Sequence, residues 1–208
     1  HLHHGKTSLV DCLIEPTLVE GFGPRAALEE QGPRVTDTLK AEQERQCSLK
    51  STPITLCLPD TRGKTFGITL VDCPGHIQFH DESVAALRLV DGAMLVVDVV
   101  EGVMMHTELL IRQAVVEGVP ILLCLSKVDR LIVELKLPPR DAYYKLLHTI
   151  ESVNDLIAQA SCGRYPHKLS PANGNVCFSS AIHGWMFTLE SFAQVYADHH
   201  DDTVGNLT

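Results

Sequence analysis

No CxxC pair occurs among the seven cysteines, Cys12, Cys47, Cys57, Cys73, Cys124, Cys162 and Cys177. Several of them lie in apolar runs, which favours buried, reduced thiols in a reducing compartment over disulfides or zinc. Basic residues are short as well, 17 Lys and Arg against 26 Asp and Glu, for a formal net charge of -9. That deficit argues against a bulk nucleic-acid-binding surface and leaves room only for a local basic patch. No apolar stretch is long enough to cross a bilayer, and the opening residues do not read as a signal peptide. Internal repeats and low-complexity tracts are also lacking. What is present is a chain of 208 residues with 45% hydrophobic and 21% charged residues. That is the balance of one soluble globular domain with a real core.

Hydrophobic periodicity divides the chain into alternating elements. Lys6 to Ile14 reads as a helix with Leu9, Val10, Leu13 and Ile14 inward, ended by Pro16. Residues 17 to 52 are polar, with little periodicity, which marks a functional or disordered stretch. Ile54 to Leu58 and Phe66 to Val71 read as an antiparallel hairpin around Asp60-Thr61-Arg62-Gly63-Lys64. Strands follow at Ala93 to Val99, Pro120 to Leu125 and Asn175 to Ser179. Helices are predicted at Thr107 to Glu117, Asp141 to Ala160 and Leu189 to Ala197. In the long helix, Tyr144, Leu147, Ile150, Val153 and Ile157 form the periodic face. Apolar strands alternating with helices predict an α/β fold, a mostly parallel sheet covered on both faces.

Four short strings sit where those strands and helices meet. His1-Leu2-His3-His4-Gly5-Lys6-Thr7 opens a helix. The histidines alone could be a tag or a metal site, but their place before Gly5-Lys6-Thr7 makes His3 and His4 loop residues of a phosphate-binding turn. Backbone N–H groups at such a helix start point at phosphates. Lys6 reaches the β- and γ-phosphates, and the Thr7 hydroxyl ligates magnesium. Asp72-Cys73-Pro74-Gly75-His76 follows a strand. Asp72 holds magnesium through water, and Gly75 offers an N–H close to the last phosphate. His76 orients the attacking water. Ser126-Lys127-Val128-Asp129 follows the next apolar strand. Asp129 accepts both guanine N1–H and the 2-amino group, and Lys127 packs its stem along the base. Asn is the commoner residue at position 126 and ties this loop to the phosphate loop. Ser126 is shorter and has fewer bonds to give. Ser179-Ser180-Ala181 supplies a backbone N–H for guanine O6, placing Ser180 and Ala181 at the base. Together the strings predict a site for GTP or GDP with magnesium.

Asp72-Cys73-Pro74-Gly75-His76 resembles the DxPGH motif of the translational GTPases. Ala41-Glu42-Gln43-Glu44-Arg45 and Lys50-Ser51-Thr52 resemble the first switch of the translocase-like branch, the elongation factor G and eukaryotic translocation factor type. By that resemblance Ser48 takes the place of a magnesium-ligating Thr, and Gln46 replaces a neighbouring glycine. The stretch Asp129 to Leu146, with Ser51-Thr52-Pro53 and Gly174 to Ser180, is similar to the spliceosomal branch, the GTPase of the U-five small nuclear ribonucleoprotein. His183 to Leu189 looks more like the translation factor. The resemblance implies GTP hydrolysis in pre-mRNA splicing and contacts with the scaffold and helicase proteins of the U-five particle. It also implies a place in the nucleus. A cytosolic ribosomal translocase, in the cytoplasm, is the alternative within the family. A GTP-filled scaffold that does not hydrolyse is the alternative outside it, for which Gln46, Ser48 and Ser126 are the suggestive residues.

The phosphate-loop pattern GxxxxGK[ST] places its first glycine one residue before His1, and a parallel strand ahead of that. Residues 1–208 are therefore expected to be a nucleotide-binding domain truncated at its N-terminus, with later domains absent. The expected strand lies between Phe66 to Val71 and Ala93 to Val99. Lacking it, the domain is expected to be unstable and to bind GTP weakly.

Overall fold

The structure, a computed structural model, describes residues 1–14, 34–59, 63–162 and 168–205, with side chains as far as Ala197. The expected helix stop at Pro16, residues 17–33 of the polar stretch and residues 60–62 of the expected turn lie outside them. In chain order the helices are α1 (Lys6–Ile14), α2 (Lys40–Arg45), α3 (His80–Leu87), α4 (Met105–Glu117), α5 (Asp129–Val133), α6 (Pro139–Ser161) and α7 (Leu189–Gly205). The strands are β1 (Thr52–Pro59), β2 (Thr65–Asp72), β3 (Ala93–Asp98), β4 (Ile121–Ser126), β5 (Val176–Ser180) and β6 (Trp185–Phe187). Short 3-10 turns form at Ile77–Phe79 and Pro171–Asn173.

The main sheet runs β3-β4-β5-β6. The first three strands are parallel and β6 is antiparallel to β5. Side chains alternate across a strand, so each strand feeds two cores. Val96, Cys124 and Cys177 turn to one face, where they meet Leu9 of α1. Val97, Leu123, Leu125, Val176 and Phe178 turn to the other. There they meet Ile111 and Ala114 of α4 and Ile150, Val153 and Ile157 of α6. Helices on both faces explain why these strands are apolar throughout rather than alternating. None of the seven cysteines is in a disulfide, and Cys124 and Cys177 pack as small apolar side chains. Among the described residues no helix is long and apolar enough to cross a membrane.

β1 and β2 form a separate antiparallel pair, with Leu56 opposite Ile68. Ile54, Leu56 and Leu58, every second residue of β1, pack with Val10 and Ile14 of α1. The predicted hairpin and α1 are thus one unit, and α1 fills both this small core and the face of the main sheet.

The sequence reading departs from the structure in places with clear causes. Tyr144 was expected on the inner face of the long helix but is half exposed, with Arg140 5.8 Å from its ring centre. The inner face runs instead through Ala142, Leu146, Thr149, Ile150, Val153 and Ile157. α2 and α5 are short and charged or capped by context, and α3, His-Asp-Glu-Ser-Val-Ala-Ala-Leu, carries little apolar periodicity. None of the three was anticipated. The three-residue strand β6 escaped for the same reason: its partner β5, not its own pattern, makes it a strand.

Leu123 is fully buried at the centre of the main sheet, so Leu123→Ala should cost about 3 kcal/mol of stability, from lost transfer energy plus a cavity. Leu89, which is 85% exposed, should lose less than about 0.5 kcal/mol on the same change. Denaturant midpoints of the two variants check the contrast.

Candidate nucleotide-binding site

The ends of β2 and the start of α1 bring three hydroxyls and two carboxylates together. Thr7, in the first turn of α1, donates to Asp72 Oδ2 at 2.7 Å, and Thr36 donates to the same oxygen at 2.7 Å. Ser48 Oγ lies 3.3 Å from Thr7 Oγ1 and donates to Asp37 Oδ1 at 2.7 Å. The Arg34 guanidinium pairs with the other oxygen of Asp37. Burial pushes the Asp72 carboxyl up, against the opposing pull of the Thr36 and Thr7 hydroxyls and of Lys6. Hard oxygen donors of this kind suit a small divalent cation, and magnesium keeps several waters beside one or two carboxylates. The predicted trio Thr7, Ser48 and Asp72 is therefore brought into one cluster. Thr36 and Asp37 belong to it too and were not anticipated. They sit in the aperiodic stretch, where no hydrophobic pattern singles them out.

The phosphate loop is seated by its carbonyls. Lys6 Nζ donates to His1 O at 2.7 Å, Lys127 Nζ to His3 O at 2.6 Å and Ser126 Oγ to His4 O at 2.6 Å. The last bond shows that Ser126, expected to make fewer bonds than Asn, still ties its loop to the phosphate loop. Gly5 holds a left-handed φ of 92°, a conformation that disfavours a side chain. Gly75 approaches this loop so closely that a Cβ there would fall 2.7 Å from His1 O, and nearer still to Lys6 Nζ. Only glycine permits its backbone to reach Lys6 in this way. Burial also pushes the Lys6 ammonium down from its ordinary value, which Asp72 opposes.

The two loop histidines do different things. His3 is exposed with φ 57° and contributes its carbonyl. His4 is fully buried: its Nδ1 accepts the Asp98 N–H at 3.2 Å, and its Nε2 lies 3.0 Å from Glu101 Oε2. Burial, joined by the charge of His1, lowers its pKa from 6.5 to about 4. His4 thus serves the site as a peg beneath the loop. His1, His4 and Glu101 are grouped closely enough to hold a metal ion. However, a neutral His4 whose Nδ1 accepts an N–H must carry its proton on Nε2. That proton points at Glu101, where a metal would need a lone pair.

His76 follows Gly75 directly. Its Nδ1 accepts the Gln78 N–H at 3.2 Å and so caps the turn Ile77–Phe79. Its ring leans on Phe79, with centroids 5.9 Å apart. A second histidine, unanticipated because nothing in its helix marks it, supports this segment from behind. His106 is buried in α4, with Nδ1 2.8 Å from Gly75 O and Nε2 3.3 Å from His80 Nδ1. Burial lowers its pKa as well.

At the other end of the site, Asp129 Oδ1 accepts the Ser180 hydroxyl at 2.6 Å. Asp129 borders a cavity of about 230 Å³, lined also by Gly5, Leu9, Lys127, Ala181 and Ile182, while Ser180 is buried behind it. That is below the roughly 300–1,000 Å³ of sites that enclose a whole ligand. Lys127 adopts a left-handed φ of 58° and reaches both His3 O and, at 3.0 Å, Asp98. Burial would raise the Asp98 carboxyl, but the Val100 N–H, Lys127 and Arg130 together hold it below its ordinary value. The structure thus brings Thr7, Ser48 and Asp72 into one hydrogen-bonded cluster and places Lys127, Asp129 and Ala181 around the cavity, with Ser126 and Lys127 bonded to the phosphate loop.

The Elongation factor Tu GTP binding domain matches residues 1–201. The 110 kDa U5 small nuclear ribonucleoprotein component CLO of Arabidopsis thaliana is 51% identical over 202 residues, which is 96% of this chain. The pre-mRNA-splicing factor cwf10 of Schizosaccharomyces pombe is 49% identical over 200 residues, again 96% of the chain. The chain spans about 20% of the length of either relative. Among solved structures, a bacterial selenocysteine-specific elongation factor, EF-Sec, superposes with a TM-score of 0.59 at 24% identity. That match covers 88% of this chain and 25% of the other, and speaks for the fold alone.

The buried His4 gives a pH dependence with a definite sign. Between pH 6.5 and about 4 the unfolded chain binds a proton at this ring that the folded chain does not. Stability from His4 is therefore complete above pH 6.5 and is lost as pH falls toward 4, by about 3 kcal/mol in all. Denaturant midpoints measured across this window should fall less steeply for His4→Asn than for the wild type. Parallel curves would show that His4 is not the titrating group.

Proposed function

Since the chain belongs to the elongation factor Tu GTP-binding domain family, we propose that it binds GTP with magnesium and hydrolyses it as the nucleotide domain of a spliceosomal GTPase. The observation that carries this reading is the meeting of Thr7, Ser48 and Asp72 in one cluster, on the same surface as the cavity bordered by Asp129. The spliceosomal assignment is supported by relatives near 50% identity whose names place them in the U5 particle and in pre-mRNA splicing. In this reading the protein acts in the nucleus, with the scaffold and helicase proteins of the U-five ribonucleoprotein as partners.

The residues divide the work. Asp129 accepts the two guanine donors that adenine lacks, while Lys127 lies along the base and the Ala181 N–H meets O6. Lys6 leaves His1 O to meet the β- and γ-phosphates. Thr7 and Ser48 would hold magnesium directly and Asp72 through water. An ion held there would offset the negative charge that develops on the transferring phosphoryl group. Water attacks the γ-phosphorus in line as the bond to the β–γ bridging oxygen breaks. His76, with Nδ1 accepting from Gln78, holds its proton on Nε2 and orients the water by donation. That same engagement of Nδ1 favours a second reading, a GTP-holding scaffold with little turnover.

Two substitutions test these roles. Asp129→Asn should move base preference from guanine toward xanthine by about 10- to 100-fold, because a mismatched buried donor goes unpaired. Competition binding with GTP, ATP and XTP reads it, and an unchanged preference removes Asp129 from the base site. His76→Ala should leave GTP affinity nearly constant and slow hydrolysis by roughly 10²-fold or more, since the ring acts on water in the transition state. Single-turnover hydrolysis on the assembled particle is the assay. Absence of turnover in the wild type there would favour the scaffold.

A further inference from the structure

Glu42 is a carboxylate only 1% exposed, in a helix whose neighbouring residues are charged and open to water. Its two oxygens are taken by main-chain amides. Oε2 accepts the Leu39 N–H at 2.9 Å, closing the start of α2. Oε1 accepts the Leu49 N–H at 2.8 Å and the Lys50 N–H at 3.1 Å. The Glu42 carbonyl accepts the N–H groups of Gln46 and Cys47, the former in a left-handed turn with φ 51°. One residue therefore binds the amides of residues 46, 47, 49 and 50. Ser48 stands in the middle of that wrap, its hydroxyl directed at Asp37 and Thr7.

We propose that Glu42 is the positioning residue that presents Ser48 to the magnesium site, and so sets the preference of the protein for a nucleotide carrying a third phosphate. The inference rests on the GTP and magnesium reading of this site. A buried carboxylate held by amides is a rigid anchor, because each of those amides would otherwise be left unpaired on desolvation. The anchor lies outside the base cavity and the phosphate loop, so it acts on the ion and the last phosphate and not on the rest of the nucleotide.

The test measures binding of GDP and of a non-hydrolysable GTP analogue, each with and without magnesium. Glu42→Ala should reduce the magnesium-dependent preference for the triphosphate by about tenfold or more and leave GDP affinity near wild type. Glu42→Gln should be milder, since one amide oxygen still accepts from Leu49 and Lys50 and only the Leu39 bond is lost. Ser48→Ala should reproduce the Glu42→Ala effect, and the double variant should be no worse than either single one, because both act through one hydroxyl. Additive effects in the double variant overturn the positioning role, as does a wild-type magnesium preference in Glu42→Ala. If Glu42→Ala loses GDP binding through misfolding, Glu42→Gln decides, and equal loss for both nucleotides in it overturns the proposal. A wild-type protein that binds no guanine nucleotide overturns the nucleotide reading itself and this inference with it.

Discussion

The phosphate loop depends on having its carbonyls held outward. An anion site made of backbone must aim N–H groups inward, and each peptide that does so turns its oxygen the other way. Here Lys127 and Ser126 take the His3 and His4 oxygens, and both residues come from the end of β4. The parallel register places Asp98 of β3 beside Ser126. Asp98 then does two jobs. Its carboxylate fixes Lys127 and Arg130, and its N–H donates to the ring of His4. The seat of the phosphate loop is thus built from the C-terminal ends of two core strands. Whatever shifts β3 against β4 shifts the loop, which makes the apolar core around Leu123 and Val97 a condition of the site and not a separate matter.

The metal half of the site is held differently. Residues 34–51 contribute few apolar contacts, chiefly Val35 against the small core of α1 and β1. What fixes them is a set of side-chain to main-chain bonds. Asp11 of α1 accepts the Arg34 and Val35 N–H groups, and Glu42 accepts those of Leu39, Leu49 and Lys50. Segments secured by hydrogen bonds over a thin apolar base open at lower free energy than packed strands. Under the proposed reading, a base-reading half rooted in the sheet and a metal-holding half hung on polar bonds is the division of labour a nucleotide switch needs.

Much of this was legible in the sequence because strands and motifs coincide. Apolar runs such as Ile121 to Leu125 can only be buried strands, and the polar strings that follow them fall at strand ends. That is how Asp72, Ser126, Asp129 and Ser180 were placed without coordinates. Thr36, Asp37 and Glu42 were not legible as site residues, since they act from a stretch with no periodicity and are brought in by side-chain bonds that no hydrophobic pattern marks. His106 was hidden for another reason: its role is to meet the Gly75 carbonyl, a contact set by how α4 crosses the loop. The bond from Ser126 to His4 O was not legible because counting donors says nothing about how near that oxygen lies. Length mattered less than proximity, and proximity is a property of the packed sheet.

The electrostatics of the cluster show why a cation and acid compete there. Asp37 and Asp72 are both buried, and the Asp37 charge adds to the cost of charging Asp72. Burial pushes Asp72 toward the protonated form, while the Thr36 and Thr7 hydroxyls and the Lys6 ammonium pull it back. A divalent cation at the same oxygens adds to that pull and removes the repulsion between the two carboxylates at once. Protonation does the reverse, since a neutral Asp72 no longer attracts the ion and its oxygen can turn donor toward Thr7 or Thr36. Lys6 sharpens the contrast. Its ammonium is itself disfavoured by burial, which the Asp72 charge opposes, so under the proposed reading a proton on Asp72 weakens the phosphate contact as well as the metal contact. Under the proposed reading the carboxylate at the end of β2 therefore couples three things by charge and hydrogen bonding: the ion, the lysine and, through Thr36 and Thr7, the placing of the segment that carries Ser48.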